Sequence, residues 1–196
     1  MSMITEPVPE SLIISGTEYK INTEHSVWIK FEQKLSDDTE DPDKVFEEIK
    51  KLIFVSDIPP SSADEETVEQ ILWFYNCGKE IKNSGSGSSK EVFSYEFDDG
   101  FIYAAFIEQY KIDLEETKLH WWKFHALMLA LPDSVVFVKI ISYRAVEITS
   151  KMSSEQRAFY QKMKKHYKLP VKKEIQDKYN AIEEALINGE PIDNLL

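Results

Sequence analysis

A long apolar stretch in the middle of the chain contains two adjacent tryptophans: Leu119-His120-Trp121-Trp122-Lys123-Phe124-His125-Ala126-Leu127-Met128-Leu129-Ala130-Leu131. On a helix, with about 100° between successive residues, only Glu116, His120 and Lys123 share a polar face. A helix that is apolar on its other sides has to be surrounded by other elements, because water would otherwise contact its apolar side chains. The stretch therefore predicts the central helix of a helical bundle.

The predicted central helix has a start and an end in the sequence. Asp113 is a favourable N-cap residue, and Glu116 three positions later completes a capping box. Pro132 ends the helix, because the residue before a proline avoids the helical region. We therefore expect a helix from about Asp113 to Leu131, with both tryptophans in the core. The alternative places one tryptophan at a partner interface, and Trp121 is the candidate for that role.

Shorter helices are predicted on both sides of this stretch. Asp41-Pro42 is an N-cap followed by a proline at the first helical position, and Ser153-Ser154-Glu155-Gln156 has the pattern of a capping box. Ser62-Ala63-Asp64-Glu65 has the same pattern and predicts a further helix start. Asp98 or Asp99 begins a helix that runs to about Tyr110. Apolar residues follow each start at helical spacing, so these segments are expected to be helices.

The N-terminal residues alternate instead of following a helical period. Apolar residues from Leu12 to Ile14, and again at Tyr19 and Ile21, surround the favourable turn pair Ser15-Gly16. We expect a small β-hairpin here. The predicted fold class is therefore mainly α, a helical bundle with a small N-terminal β-hairpin.

The chain length and composition fit one domain. Its 196 residues can enclose a hydrophobic core, and its hydrophobic fraction of 42% is ordinary for a globular protein. We predict a single helical domain, residues 1–196, with five successive parts. These parts are a β-hairpin (1–22), an acidic helical part (23–78), a flexible loop (79–92), a central helical core (93–150) and basic C-terminal helices (151–196).

Charge is unevenly distributed along the chain. The net charge is −12, and residues 1–78 carry 17 acidic and 6 basic side chains, whereas residues 151–196 carry 7 and 9. So acidic a protein repels phosphates, and we expect no nucleic-acid partner. The sequence has no apolar run long enough to cross a bilayer and no signal peptide at its start, so no membrane association is expected. Cys77 is the single cysteine, which is typical of a protein of the reducing cytosol.

Histidines in the apolar stretch are the first candidates for chemistry. His120 and His125 are five positions apart and point in different directions on a helix, so they cannot bind one metal ion together. A neutral, buried imidazole is the simpler interpretation of His125. We therefore predict no catalytic residue, no cofactor and no metal, and we expect that the protein is not an enzyme. The enzyme alternative requires a deep pocket that holds His125 beside a carboxylate.

The C-terminal third has the features of a protein-binding region. A narrow apolar stripe recurs there at intervals of four, three and four residues: Ile175, Tyr179, Ile182 and Leu186. So narrow a stripe suits a seam against one neighbour, either the domain's own core or a partner helix. The run from Lys151 to Lys173 contains eight basic residues and one acid, which suits a solvated face or an acidic partner. The four stripe residues, together with Trp121, are the predicted protein-binding residues.

Three stretches taken together resemble a known family. They are residues 12–35, residues 102–114 (IYAAFIEQYKIDL), and residues 119–144, of which His120-Trp121-Trp122-Lys123-Phe124 is the most specific part. In this order, over nearly the whole chain, they are similar to the phage gene-product-fifteen family. That family is found in long-tailed phages and prophages of Gram-positive bacteria.

The resemblance implies a role in tail assembly, since the family has no assigned chemistry. Its genes usually lie just ahead of the tape-measure gene, where such phages place tail assembly chaperones. The implied function is a chaperone that binds the tape-measure protein in the host cytoplasm and keeps it soluble until the tail tube polymerises. The tail tube protein and a second copy of the chain are further candidate partners. The alternative is a structural component of the tail or its completion complex that is retained in the virion.

Overall fold

The computed structural model describes residues 3–36, 41–79 and 92–170 of the chain. The elements follow one another in this order: β1 Ser11–Ile14, β2 Thr17–Lys20, α1 His25–Leu35, α2 Pro42–Ile53, a 3-10 turn Ser61–Ala63, α3 Asp64–Tyr75, α4 Asp99–Tyr110, α5 Trp121–Leu129, α6 Val136–Ala145 and α7 Ser154–His166. The predicted class, mainly α with an N-terminal β-hairpin, is confirmed. The chain divides into two compact units, Met1–Ile141 and Ser142–Leu196. The predicted single-domain organisation stays a prediction.

The N-terminal hairpin has the predicted two-residue turn. Ser15 and Gly16 connect the antiparallel strands with φ values of 50° and 76°, which is the left-handed pair that gives a tight hairpin its correct twist. Ile14 is fully buried whereas Ile13 is 63% exposed, so the strand places alternate side chains in the core. Glu66 on α3 fixes the turn. Its carboxylate accepts hydrogen bonds from the Ser15 amide at 2.9 Å and the Ser15 hydroxyl at 2.8 Å.

Two of the predicted capping patterns are formed as expected. Asp41 caps α2 as predicted and accepts hydrogen bonds from two amides of its first turn. Ser153 forms the predicted capping box of α7. The capping box predicted at Ser62 is not formed, because residues 61–63 close a 3-10 turn and α3 begins at Asp64.

Helix α5 is shorter than the sequence predicted. It begins at Trp121 rather than at Asp113. His120, just before it, is extended and forms a β-bridge with Glu24, in the chain that leads into α1. The amide of His25 donates to the carbonyl of Leu119 at 2.8 Å, and the amide of Trp121 donates to the carbonyl of Thr23 at 2.7 Å. These long-range hydrogen bonds outweigh the local capping pattern upstream.

Helix α5 is also not enclosed on all sides. Ala126 is exposed, and Leu129 is 69% exposed. The prediction of a fully surrounded central helix is therefore wrong in its second half. Ala126 and Leu129 are open to water there, whereas Leu127 and Met128 are partly buried against the core.

The core of the first unit is organised around that first turn. Trp121 and Trp122 are each 1% exposed, and Phe124 is fully buried. The indole N–H of Trp121 donates to the carbonyl of Tyr75, and that of Trp122 donates to the carbonyl of Phe74, both at 2.8 Å. The last carbonyls of a helix have no partner within that helix, so the two tryptophans complete the C-terminal end of α3.

Gly78 allows the chain to pass close to this tryptophan pair. Its φ is 69°, a left-handed conformation that suits glycine. A Cβ atom at this position would lie 2.9 Å from Cη2 of Trp122. The amide of Gly78 donates to the carbonyl of Trp73 at 2.9 Å and ends the α3 segment. A glycine is therefore needed here both for conformation and for space.

A buried lysine links α2 to α3. The Lys50 side chain is 1% exposed, and its ammonium group lies 2.6 Å from the carboxylate of Glu47 and 2.9 Å from that of Asp64. Burial lowers the pKa of Lys50, but the hydrogen bonds to both carboxylates outweigh that effect, and the pKa lies above its ordinary value. These two ion pairs of Lys50 were not predicted from the sequence.

In the second unit, α7 and the residue after it contact Tyr143 and Arg144 at the end of α6. The ring of Tyr143 lies 5.9 Å from that of Phe159 and 6.1 Å from that of Tyr167. Arg144 is 8% exposed, and its Nε donates to the carbonyl of Tyr167 at 2.5 Å. In return, Lys164 donates to the carbonyl of Arg144 at 2.8 Å. Arg144 and one cation of the basic run, Lys164, therefore bind backbone carbonyls.

Candidate functional site

An open groove lies on the surface of the first unit, between α1, α4 and the chain before α5. Its volume is about 650 Å³, within the range of ligand-binding clefts. Apolar side chains from four separate segments form most of its lining: Ile29, Tyr95, Ile102, Leu114 and Phe124. The groove is therefore lined mainly by apolar groups, of which Tyr95, Ile102 and Phe124 are themselves buried.

The charged side chains that line the groove are acidic. Glu96, Asp99 and Glu115 line it, and all three are exposed. Beside them, the hydroxyl of Tyr103 donates to the carboxylate of Asp113 at 3.1 Å, and this hydrogen bond raises the pKa of the tyrosine. The rim of the groove thus combines apolar contact area with negative charge, an arrangement that attracts cationic groups.

His25 lies at the inner wall of the groove. Its side chain stacks on Phe124, with 5.1 Å between the ring centroids and an angle of 25° between the rings. The residue is 5% exposed, and its buried Nδ1 has no hydrogen-bond partner. Burial lowers the pKa of His25, although the carbonyl of Leu119 and the carboxylate of Glu24 act in the opposite direction. At neutral pH the imidazole is therefore uncharged and packs on Phe124 as a neutral ring.

The outward face of α4 extends the apolar surface away from the groove. Tyr103 lines the groove and is 38% exposed, and Ile107, one turn further along, is 36% exposed. Ala104 between them is exposed as well. A surface helix normally carries polar residues on this side. We refer to the groove and these three α4 residues together as the α4 surface.

The contacts and burial of His120 and His125 determine their protonation states. Nδ1 of His120 accepts from the amide of Trp122 at 3.1 Å, and its Nε2 lies 3.0 Å from the carbonyl of Pro9, which requires the proton on Nε2. Burial lowers the pKa of His120 and, with a smaller effect of Lys79, that of His125. Both rings are therefore neutral at neutral pH.

No metal-binding cluster is found in the part of the chain that the structure describes. Within it, no group of three or more histidine, cysteine, aspartate or glutamate side chains could hold a metal ion. Burial raises the pKa of the Cys77 thiol to about 11, so at neutral pH the residue is a protonated thiol rather than a nucleophilic thiolate.

Of the predicted protein-binding residues, the structure describes Trp121 alone. Trp121 is 1% exposed and belongs to the core, so a partner could contact it only if the fold opened. The four stripe residues, Ile175, Tyr179, Ile182 and Leu186, lie outside the described residues. The basic run is described as far as residue 170 and includes α7, on which Phe159 is 47% exposed.

The α4 surface was not predicted from the sequence, because four separate segments build it. Only the fold brings residues 25–33, 95–103, 114–115 and 124 together. One signal was present in the sequence: residues 101–107 contain no charged side chain, although the helix lies at the surface. A helix without a polar face indicates either a buried helix or an interface.

Comparisons with known proteins give one match. The family model described as Bacteriophage Gp15 protein matches residues 4–169, which is most of the chain. Neither the curated proteins nor the solved structures gave a match. Among the described residues, no helix has the length and hydrophobicity needed to cross a membrane. The match includes both the tryptophan pair of the core and the α4 surface, and the chain belongs to the Bacteriophage Gp15 protein family.

Proposed function

We propose that this phage protein is a tail assembly chaperone that binds the tape-measure protein. In this proposal it acts in the host cytoplasm, catalyses no reaction, and keeps the tape-measure protein soluble until the tail tube polymerises around it. A tape-measure protein is a long helical chain that aggregates if its apolar side chains stay exposed. A chaperone for such a client needs an apolar surface that is open before the client arrives.

The observation that carries the proposal is the α4 surface. On it, Tyr103 and Ile107 are 38% and 36% exposed, one turn apart, beside a groove with a mostly apolar lining. Exposed apolar area of this kind is typical of a protein-binding site. A catalytic site would instead require a nucleophile, a general base or a metal, with pKa values suited to proton transfer. The histidine of this surface, His25, has a lowered pKa that burial explains first.

The overall charge supports the same role. The protein has a net charge of −12. Complexes of this protein with an aggregation-prone client would therefore repel one another. Solubility of the complex would then follow from the chaperone and not from the client. This effect requires only that the acidic N-terminal part stays exposed to water in the complex.

Co-expression provides the test. The tape-measure protein of the same phage is expressed alone and together with this chain, and its soluble fraction is measured. We expect it to be insoluble alone, and to be soluble and captured with the tagged chain when co-expressed. Equal solubility in both cases, without capture, would contradict a chaperone function.

Purified virions distinguish the chaperone from a structural component. A chaperone leaves the assembly, so mass spectrometry of purified particles should detect tail tube and tape-measure peptides but not this protein. Stoichiometric amounts in the particles would favour a component of the tail or its completion complex.

A further inference from the structure

We infer that the α4 surface binds a helix whose apolar stripe is flanked by lysine or arginine side chains. This inference rests on the proposed function and specifies which part of a client the chaperone recognises. It follows from three properties of the α4 surface, namely its apolar lining, its length and the sign of its charge.

The apolar lining and the length fit a helix. Helix α4 has 12 residues, and at a rise of about 1.5 Å per residue it is about 18 Å long, enough for about three turns of a helix beside it. Tyr103 and Ile107 are one turn apart on this helix, so they can meet side chains at the same spacing on a partner. Recognition of an amphipathic helix by an apolar groove is a common mode of binding between proteins.

The charge selects a basic helix. The groove residues that carry charge are Glu96, Asp99 and Glu115, all exposed. Lysine or arginine beside the apolar stripe of a bound helix would lie near these carboxylates, whereas acidic residues would be repelled. The neutral His25 adds no opposing charge to the inner wall. Negative charge at the rim also makes nucleic acids and anionic small molecules unsuitable occupants.

Gly100 provides a way to block the groove with little change to the fold. It lines the groove in the first turn of α4, and a Cβ atom at this position would have no other atom within 4 Å. A tryptophan at this position would enter open space and compete with a bound helix. An alanine at the same position would leave the groove open, and alanine is favourable in a helix. Gly100→Trp and Gly100→Ala are therefore a matched pair.

The experiment uses the full-length chain and two fluorescent helical peptides of about 20 residues. Both peptides carry leucines at helical spacing, flanked by lysines in one and by glutamates in the other. We expect the lysine peptide to bind the wild type and Gly100→Ala equally, and to bind Gly100→Trp at least about tenfold more weakly. The glutamate peptide should not bind. Circular dichroism and thermal unfolding verify that each variant is folded.

Charge is tested separately by the double variant Glu96→Gln, Glu115→Gln, which changes only exposed side chains. It should bind the lysine peptide several-fold more weakly, and added salt should weaken its binding less than that of the wild type. Equal binding of both peptides, or unchanged binding by both this variant and Gly100→Trp, would contradict the inference. So would displacement of the lysine peptide by spermidine alone, because a small cation would then be a sufficient occupant.

Failure of this inference differs from failure of the proposed function. If the wild type and Gly100→Trp capture the tape-measure protein equally, the chaperone function stands and the α4 surface is not the site. If the wild type does not capture the tape-measure protein but the peptides behave as expected, the site stands and its client is another protein.

Discussion

Helices α4 and α5 are the two most apolar helices of the described chain by mean hydropathy, yet they differ in which of their apolar side chains are buried. Helix α5 buries Trp121, Trp122 and Phe124 in its first turn. Helix α4 buries one side, and leaves Tyr103 and Ile107 on the other side in contact with water. Apolar composition alone therefore does not distinguish a core helix from a helix that offers a binding surface.

The difference arises from the groups that lie beside each helix in the neighbouring elements. The indole groups of α5 meet the open carbonyls at the end of α3, so burial of each ring also satisfies a backbone group. Ala105 and Phe106 of α4 pack on the core, whereas Asp99, Gly100 and Tyr103 of the same helix line an open groove. Four predictions test this contrast, from the largest expected effect to the smallest.

The largest effect is expected for Trp122→Ala. This change removes a side chain that is 1% exposed and leaves the carbonyl of Phe74 without its indole donor. We expect the free energy of unfolding to fall by about 3–5 kcal/mol, measured by urea denaturation. Trp122→Phe is the control: it keeps much of the ring contact and should cost less. A loss below about 1 kcal/mol for Trp122→Ala would show that the first turn of α5 is not the centre of the core.

Gly78→Ala should have the next largest effect. The new Cβ would be only 2.9 Å from Trp122, and the residue would keep a φ of 69°. We expect a loss of about 2–3 kcal/mol in the free energy of unfolding, from left-handed strain and overlap together. Gly16→Ala separates the two effects, since its φ is 76° and no atom lies within 4 Å of its added Cβ. Equal losses for both variants would mean that Trp122 moves aside freely.

The pH dependence of stability tests the packing around α5. His25, His120 and His125 all have pKa values below the unfolded value of 6.5, chiefly because of burial. The unfolded chain therefore takes up protons first on acidification. Their contribution is complete above about pH 6.5 and is lost as pH falls towards the folded-state pKa values. The loss is at most about 1.4 kcal/mol per pH unit for each histidine.

Denaturation at about pH 7.5 and about pH 5.5 measures this dependence. His120→Asn keeps an N-cap acceptor at the start of α5 but removes the titrating group, so it should reduce the slope. Gln161→Asn, at an exposed residue of α7, removes no titrating group; it is the control and should leave the slope as it is in the wild type. A wild-type stability that does not change between these pH values would contradict the burial of the three rings.

The smallest effect on stability is expected for the outward face of α4. Tyr103→Ala and Ile107→Ser change residues that are 38% and 36% exposed. Each should change the free energy of unfolding by less than about 1 kcal/mol, while the pair together should reduce capture of the tape-measure protein. Lys139→Ala, at an exposed residue of α6, is the control for capture. A loss of stability comparable with that of Trp122→Ala would show that this face is core.

Local patterns in the sequence predicted several elements correctly. The turn at Ser15-Gly16 follows from the preference of a two-residue hairpin for positive φ, and Asp41-Pro42 and Ser153 begin helices as expected. These signals act within a few residues, so the neighbouring sequence contains all the information they need. The family resemblance, carried largely by the tryptophan motif, was also readable from the chain alone, and the family match confirms it.

The remaining features depend on contacts between residues that are distant in the sequence. Asp113 does not start a helix, because residues 119–121 instead pair with the chain before α1. Lys50 is buried because carboxylates of α2 and α3 neutralise it there, and Ala126 and Leu129 are exposed because no neighbour covers that end of α5 in the described chain. The α4 surface likewise exists only once four segments meet. Long-range hydrogen bonds and burial depend on which residues come together, and that is a property of the fold, not of any one segment.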